Sequence, residues 1–231
     1  MNDKEYLDQI STIEIYAEIL LGILRYTLVK NTHNESEYKA ELTKKLKFEK
    51  ETDFELLRAC IDLLEDSQYA INEVYENGLI TKSESHGEMY LRLYGVLNAF
   101  YLQSGAMLDL IRLFNMPNQK VIKEKLKTSK IIELRNKLGS HTTSYSIPNS
   151  QKEIDFYKLA QSSISKWGND LLIVGKDGYE EVDLIPIMKL FTKEIENTLE
   201  DLVTKELYSR KFKTELFEWL EYRHKYIKNY R

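Results

Sequence analysis

Arg135, Asn136 and His141 fall together in the segment ELRNKLGSHTTSY (133–145), and their types suit phosphate chemistry. An arginine supplies a permanent cation with a planar fork that can grip a phosphate. A histidine titrates near neutrality and can both take and return a proton. An asparagine beside them can hold the imidazole tautomer or a phosphate oxygen. Together they suit metal-free cleavage of RNA, in which a 2′-hydroxyl attacks the adjacent phosphorus, Arg135 stabilises the charge and His141 handles protons. On one continuous helix, residues six apart are separated by roughly 120° of rotation and about 9 Å of rise, so the pair would not meet. Gly139 stands between them, and a helix break there would let His141 fold back or face a second copy across a two-fold axis. The same residues also suit an ordinary helix end, with Arg135 against Glu133 or a carbonyl and His141 as a cap.

Charge around the motif is uneven. Segment 117–141 carries Lys120, Lys123, Lys125, Lys127, Lys130, Arg135 and Lys137 against Glu124 and Glu133, a net of +5. Segment 51–88 is acidic, with a net of −8, and the tail 209–231 is basic, with a net of +4. A basic segment in a chain of net charge −4 can be an electrostatic footprint for phosphates, or simply a solvated helix face. Lys127, Lys130 and Lys137 are the candidates to hold an RNA backbone beside Arg135.

Other chemistries find little support. There is no Gly-rich phosphate loop, GxSxG, HExxH or EF-hand pattern, and no cofactor is expected. His33, His86, His141 and His224 are scattered and Cys60 is the lone cysteine, so neither a metal centre nor a disulfide framework is expected. The start, MNDKEYLDQI, is charged and lacks the apolar core of a secretory signal. The most apolar stretch, IEIYAEILLGILRYTLV, carries Glu14, Glu18 and Arg25, so no membrane span and a cytoplasmic setting are expected.

The elements that must position the motif are helices. Only nine Gly and three Pro punctuate 231 residues, and 42% of them are hydrophobic. Ile10, Ile13, Ala17, Leu20, Leu24 and Leu28 recur at helical spacing and predict one helix from Lys4 to Lys30. Residues 31–50 read as a polar loop with at most a weak helix. Thr52–Glu55 forms a capping-box pattern before a helix that ends at Asn77-Gly78, and Ser85–Glu88 forms another before the longest helix. That helix runs to Asn115, where Met116-Pro117 stops it, with Leu93, Leu97, Phe100, Met107, Leu110 and Phe114 as its buried seam. The motif helix follows from Asn118 to Leu138, with Val121, Ile122, Ile131, Leu134 and Leu138 inward and Gly139 as its end. LLIVGKDGYEEVDL predicts a hairpin turning at Lys176-Asp177-Gly178, with FYKLAQSSIS as a third strand. Asp183 and Pro186 open a further helix carrying Ile187, Phe191, Ile195, Leu199 and Leu202, and the tail from Ser209 reads as helical.

The fold expected is mainly α. It is an up-and-down helical bundle with a small antiparallel β insertion (146–185) between the motif helix and the C-terminal helices. One domain is expected over 1–231, with N-terminal helices over 1–80, the long helix and motif helix over 85–145, and C-terminal helices over 186–231.

Arg135 followed at once by Asn136, then His141 at the end of an apolar helix, resembles the signature of the HEPN superfamily. The similar stretch covers roughly 85–205 and includes the preceding helix YGVLNAFYLQSGAMLDLIRLF. Thr142 and Thr143 stand where relatives often carry Pro and, in some toxins, Tyr. The resemblance implies a bundle that forms a homodimer, with two copies of Arg135 and His141 converging at the interface. It implies a metal-independent endoribonuclease acting on RNA, of the kind found in toxin–antitoxin and phage-defence systems, with an antitoxin or nucleotidyltransferase as partner. The alternative is an inactive helical dimer that binds a nucleotide, a nucleic acid or a protein.

Overall fold

The computed structural model describes residues 2–26, 34–50, 52–81, 85–140, 145–146 and 154–231. The chain is mainly helical with a small antiparallel sheet, as its punctuation and periodicity predict. Among the described residues the helices are α1 (Asp3–Gln9), α2 (Thr12–Tyr26), α3 (Glu35–Leu46), α4 (Asp53–Asn77), α5 (His86–Leu113), α6 (Gln119–Lys127), α7 (Lys130–Arg135), α8 (Leu184–Ser209) and α9 (Thr214–Tyr230). A π-helical turn over Asn136–Ser140 continues α7. A two-residue ladder pairs β1 (Tyr145–Ser146) with β2 (Ile154–Asp155), and a three-stranded sheet has the order β3 (Lys158–Leu159), β4 (Leu171–Gly175), β5 (Gly178–Val182).

The expected hairpin is present. Leu171 pairs with Val182 and Gly175 with Gly178, leaving Lys176 and Asp177 as the loop. Gly178 has φ +140°, a region closed to most side chains, which is why the turn needs glycine there. β3 supplies the third strand through Lys158 against Val174 and Leu159 against Ile173.

The chain falls into two compact units. The first comprises 1–68, 105–122 and 195–231. Its core takes Ile13, Ala17, Leu20 and Leu24 from α2, Leu57, Ile61 and Leu64 from α4, Met107 and Leu110 from α5, and Leu199 and Leu202 from α8. Helices α2 and α9 pack closely: a Cβ on Gly22 would sit 2.7 Å from Leu220 Cδ2 and 2.9 Å from Trp219 Cζ3. A polar cluster lies in this unit, where Glu200 accepts from the Tyr16 hydroxyl at 2.8 Å and lies 2.8 Å from Nε2 of the fully buried His224.

The second unit comprises 69–104 and 123–194. Leu93, Leu97 and Phe100 of α5, Ile131 and Leu134 of α7, Leu138, Leu171 and Ile173 of β4, and Phe191 of α8 are buried in it. The rings of Phe100 and Phe191 meet edge to face, with centroids 5.5 Å apart.

Several expectations are corrected. The helix expected from Lys4 to Lys30 is two helices: Ile10 is extended, and Ser11 and Glu14 exchange side-chain bonds with each other's backbone amides at 3.3 and 2.9 Å, a capping box that restarts the chain as α2. Residues 27–30 lie outside the described residues. The expected loop at 31–50 contains α3, which Asn34 caps by accepting from the Glu37 amide at 2.9 Å; Leu42 and Leu46 bury the side that its mixed charges obscure. The reach-back expected of Glu55 and Glu88 goes elsewhere: Glu55 pairs with Lys39, and Glu88 accepts from the Thr81 amide at 2.9 Å. The motif helix expected from Asn118 to Leu138 is interrupted at Thr128-Ser129. There the Thr128 hydroxyl donates to the Glu124 carbonyl at 2.9 Å and the Ser129 hydroxyl to the Leu126 carbonyl at 2.8 Å. Val121, expected inward, is 67% exposed.

Candidate functional site

Helix α7 is short, and burial fixes it. Ile131, Ile132 and Leu134 point into the second unit, and Leu138 is buried one turn on. Arg135, Asn136 and Lys137 are half-buried between those anchors. Gly139 does not end the helix as expected. The turn widens at Asn136 and runs through Gly139 to Ser140 as a π turn, a local irregularity that recurs at functional sites. A Cβ on Gly139 would meet no described atom within 4 Å outside its own turn.

The Arg135 guanidinium lies over the ring of Tyr101 of α5, 3.9 Å from its centroid. Its Nη1 donates to Asn136 Oδ1 at 3.1 Å. Among the described residues no carboxylate pairs with Arg135. An aromatic face and a neutral amide therefore hold a cation that no described carboxylate compensates, with further N–H donors for a ligand. A stack of this kind is worth about 0.5–1 kcal/mol where solvent reaches it, enough to favour one rotamer. Tyr101 was not singled out by periodicity, because it lies beside the seam residue Phe100 on the flank of α5. Its signal in the sequence is an aromatic residue off the buried stripe, and it is 44% exposed.

His141 lies outside the described residues. The structure thus brings together Arg135 and Asn136 of the three motif residues, and adds Tyr101 to them.

The lysines divide. Lys130 Nζ lies 3.0 Å from Glu133 Oε1 and 2.5 Å from Glu180 Oε1; Lys137 Nζ lies 2.5 Å from Glu133 Oε1 and 3.0 Å from Glu180 Oε2. Two lysines and two glutamates therefore form a closed, locally neutral cluster between α7 and β5. Burial would lower the Lys137 pKa, but hydrogen bonds and attraction from Glu133 and Glu180 outweigh it and raise it above the usual lysine value. Burial likewise pushes Glu180 upward, and the bonds from Lys130 and Lys137 overcome it and hold its pKa below the usual range. Lys137 Nζ also sits 4.8 Å from the centroid of the Tyr157 ring. Lys130 and Lys137, read from sequence as RNA contacts, thus brace the motif turn against the sheet. Lys127 is exposed on α6. Glu180, the residue that decides this, lies 43 positions from Lys137, and no local spacing points to it.

Among the described residues no group of three or more His, Cys, Asp or Glu side chains could hold a metal ion, and no helix is long and apolar enough to cross a membrane. No family model, curated protein or solved structure matches the chain.

Proposed function

We propose that the chain is a metal-independent endoribonuclease of the HEPN type, with Arg135 as the phosphate-binding cation. The observation that carries this reading is the state of Arg135: half-buried, stacked on Tyr101, bonded to Asn136 and free of any described carboxylate. A structural arginine at a helix end ordinarily discharges itself on a carboxylate or a terminal carbonyl. This one is held by groups that orient it without cancelling its charge.

The reaction needs no outside reactant. His141 takes the proton of a ribose 2′-hydroxyl, and the oxygen attacks the adjacent phosphorus. Arg135 carries the charge gathering on the phosphoryl oxygens, Asn136 orients the guanidinium, and the 5′-oxygen leaves with a proton returned by a histidine. The products are a 2′,3′-cyclic phosphate and a 5′-hydroxyl. One histidine serving as base and another as acid calls for a second copy of the chain. Leu91, Tyr94, Tyr101 and Leu102 lie exposed along one side of α5, and such a face is suited to burial by a homodimer.

The test is incubation of total RNA with the purified chain in EDTA, alongside Arg135→Ala and His141→Ala. Cleavage by the wild type and its loss in both variants is the expected result. Cleavage that persists in the variants, or that requires magnesium, refutes the mechanism. An intact RNA with every protein leaves Arg135 as part of a binding surface.

A further inference from the structure

Within the first unit, the C-terminal ends of α3, α5 and α8 line a cavity of about 720 Å³. Small-molecule pockets span about 300–1,000 Å³. Lys45, Lys47, Arg112, Lys205 and Arg210 line it, against the carboxylates of Glu49, Asp53 and Glu206. Helix C-termini carry the negative end of the dipole, so three of them together would repel an anion unless their carbonyls were covered.

They are covered from within. Lys205 Nζ donates to the carbonyls of Phe114 and Asn115, the latter at 3.1 Å, and Arg210 Nη1 reaches the Lys45 carbonyl at 3.4 Å. Lys47, at φ +57°, turns its own amide back onto the carbonyls of α3. Two of the carboxylates are buried and already engaged. Asp53 Oδ2 accepts from the amides of Glu49 and Lys50 at 3.2 and 3.1 Å, and its Oδ1 lies 3.3 Å from Arg112 Nη2. Glu206 accepts from Arg210 Nε at 2.7 Å. Asp53 and Glu206 are thus neutralised by partners in the wall, the five cations of the lining exceed its three carboxylates by two, and the exposed Lys45 and Lys47 pair with no described carboxylate. Arg112 meets Asp53 through Nη2 and lies 3.8 Å from Asp109 Oδ1 through Nε, which leaves Nη1 to donate elsewhere.

A phosphate monoester carries about −1.5 to −2 charges at neutral pH, which matches that surplus. The same wall offers Phe48, half-buried, as an apolar face, and Gln119, Asn115 and Ser209 as neutral hydrogen-bonding groups. We propose that this cavity binds a nucleoside monophosphate, with its phosphate on Lys45, Lys47 and Arg112 and its base against Phe48. The site is independent of Arg135, which lies in the other unit.

The test is calorimetric titration of the full chain with AMP, GMP, CMP and UMP, and with inorganic phosphate and adenosine as the separate halves of the ligand. At least one nucleotide should bind tenfold or more tightly than either half. In Lys45→Gln/Lys47→Gly, where glycine suits the left-handed position, its affinity should fall tenfold or more, with the circular dichroism spectrum and melting temperature retained. Arg135→Ala should bind it as the wild type does, so failure of the nuclease reading would leave this result standing. The proposal is overturned if no nucleotide binds more tightly than inorganic phosphate. It is equally overturned if the double variant binds like the wild type.

Discussion

Acid should strip the first unit of a contribution that Glu200 makes at neutral pH. Its carboxylate accepts from the Tyr16 hydroxyl at 2.8 Å, from Thr204 at 3.1 Å and from Lys228 at 2.9 Å, and lies 2.8 Å from His224 Nε2. Burial would raise its pKa, but the bonds from Lys228, Tyr16 and His224 outweigh that and lower it from 4.5 to about 2. A carboxylate depressed in the folded state stabilises fully above its unfolded pKa and loses that contribution as pH falls toward the folded one. A depression of about 2.5 units at ~1.36 kcal/mol each is worth about 3 kcal/mol at pH 6, of which about 2 kcal/mol is gone by pH 3. Glu200→Gln, which cannot ionise, isolates this contribution from the titration of every other carboxylate. Urea unfolding of both proteins should show the wild type more stable at pH 6 and the gap narrowing by about 2 kcal/mol by pH 3. A gap that stays constant between those pH values would show that the ionised carboxylate is not what the cluster stabilises.

Gly78→Ala should destabilise by more than about 1 kcal/mol, because φ is +72° and a Cβ would collide with the Lys166 carbonyl oxygen, whereas Gly139→Ala, with no described atom nearby, should be neutral or slightly stabilising in the same melts. Cys60 is buried and its thiol is pushed up to about 12, chiefly by desolvation, so a disulfide-exchange reagent should label it in urea and leave the folded protein untouched for hours. If RNA binds, Lys127→Gln should lower the slope of log affinity against log salt by about 0.7, while Lys130→Gln/Lys137→Gln should alter it little, because Glu133 and Glu180 already neutralise that pair.

What the sequence made legible was set by range. The seam of α5, from Leu93 to Phe114, and the hairpin at Lys176-Asp177 follow from local periodicity and turn chemistry, and both are present. The break between α1 and α2 was missed because an apolar stripe continues across Ile10, although Ser11 and Glu14 spell a capping box beneath it. Helix α3 reads from sequence as no more than a weak helix in a loop because mixed charge hides two buried leucines, Leu42 and Leu46, among good helix formers. The interruption before α7 depends on two hydroxyls choosing backbone carbonyls, which composition does not announce.

The candidate site divides along the same line. Arg135 and Asn136 are neighbours in sequence and in space, so their pairing was readable. Tyr101 and Glu180 reach the motif from α5 and β5, and the roles of Arg135, Lys130 and Lys137 change with them. One aromatic ring orients the arginine, and one carboxylate pairs with both lysines expected at the RNA backbone.

The most direct test of the central claim is the mass of the fragments from a defined RNA oligonucleotide incubated with the chain in EDTA. Transfer to the 2′-oxygen under Arg135 predicts an upstream fragment ending in a 2′,3′-cyclic phosphate, a downstream fragment beginning with a 5′-hydroxyl, and an intact oligonucleotide with Arg135→Ala. Fragments bearing 3′-hydroxyl and 5′-phosphate ends, or the same fragments from Arg135→Ala, would contradict it.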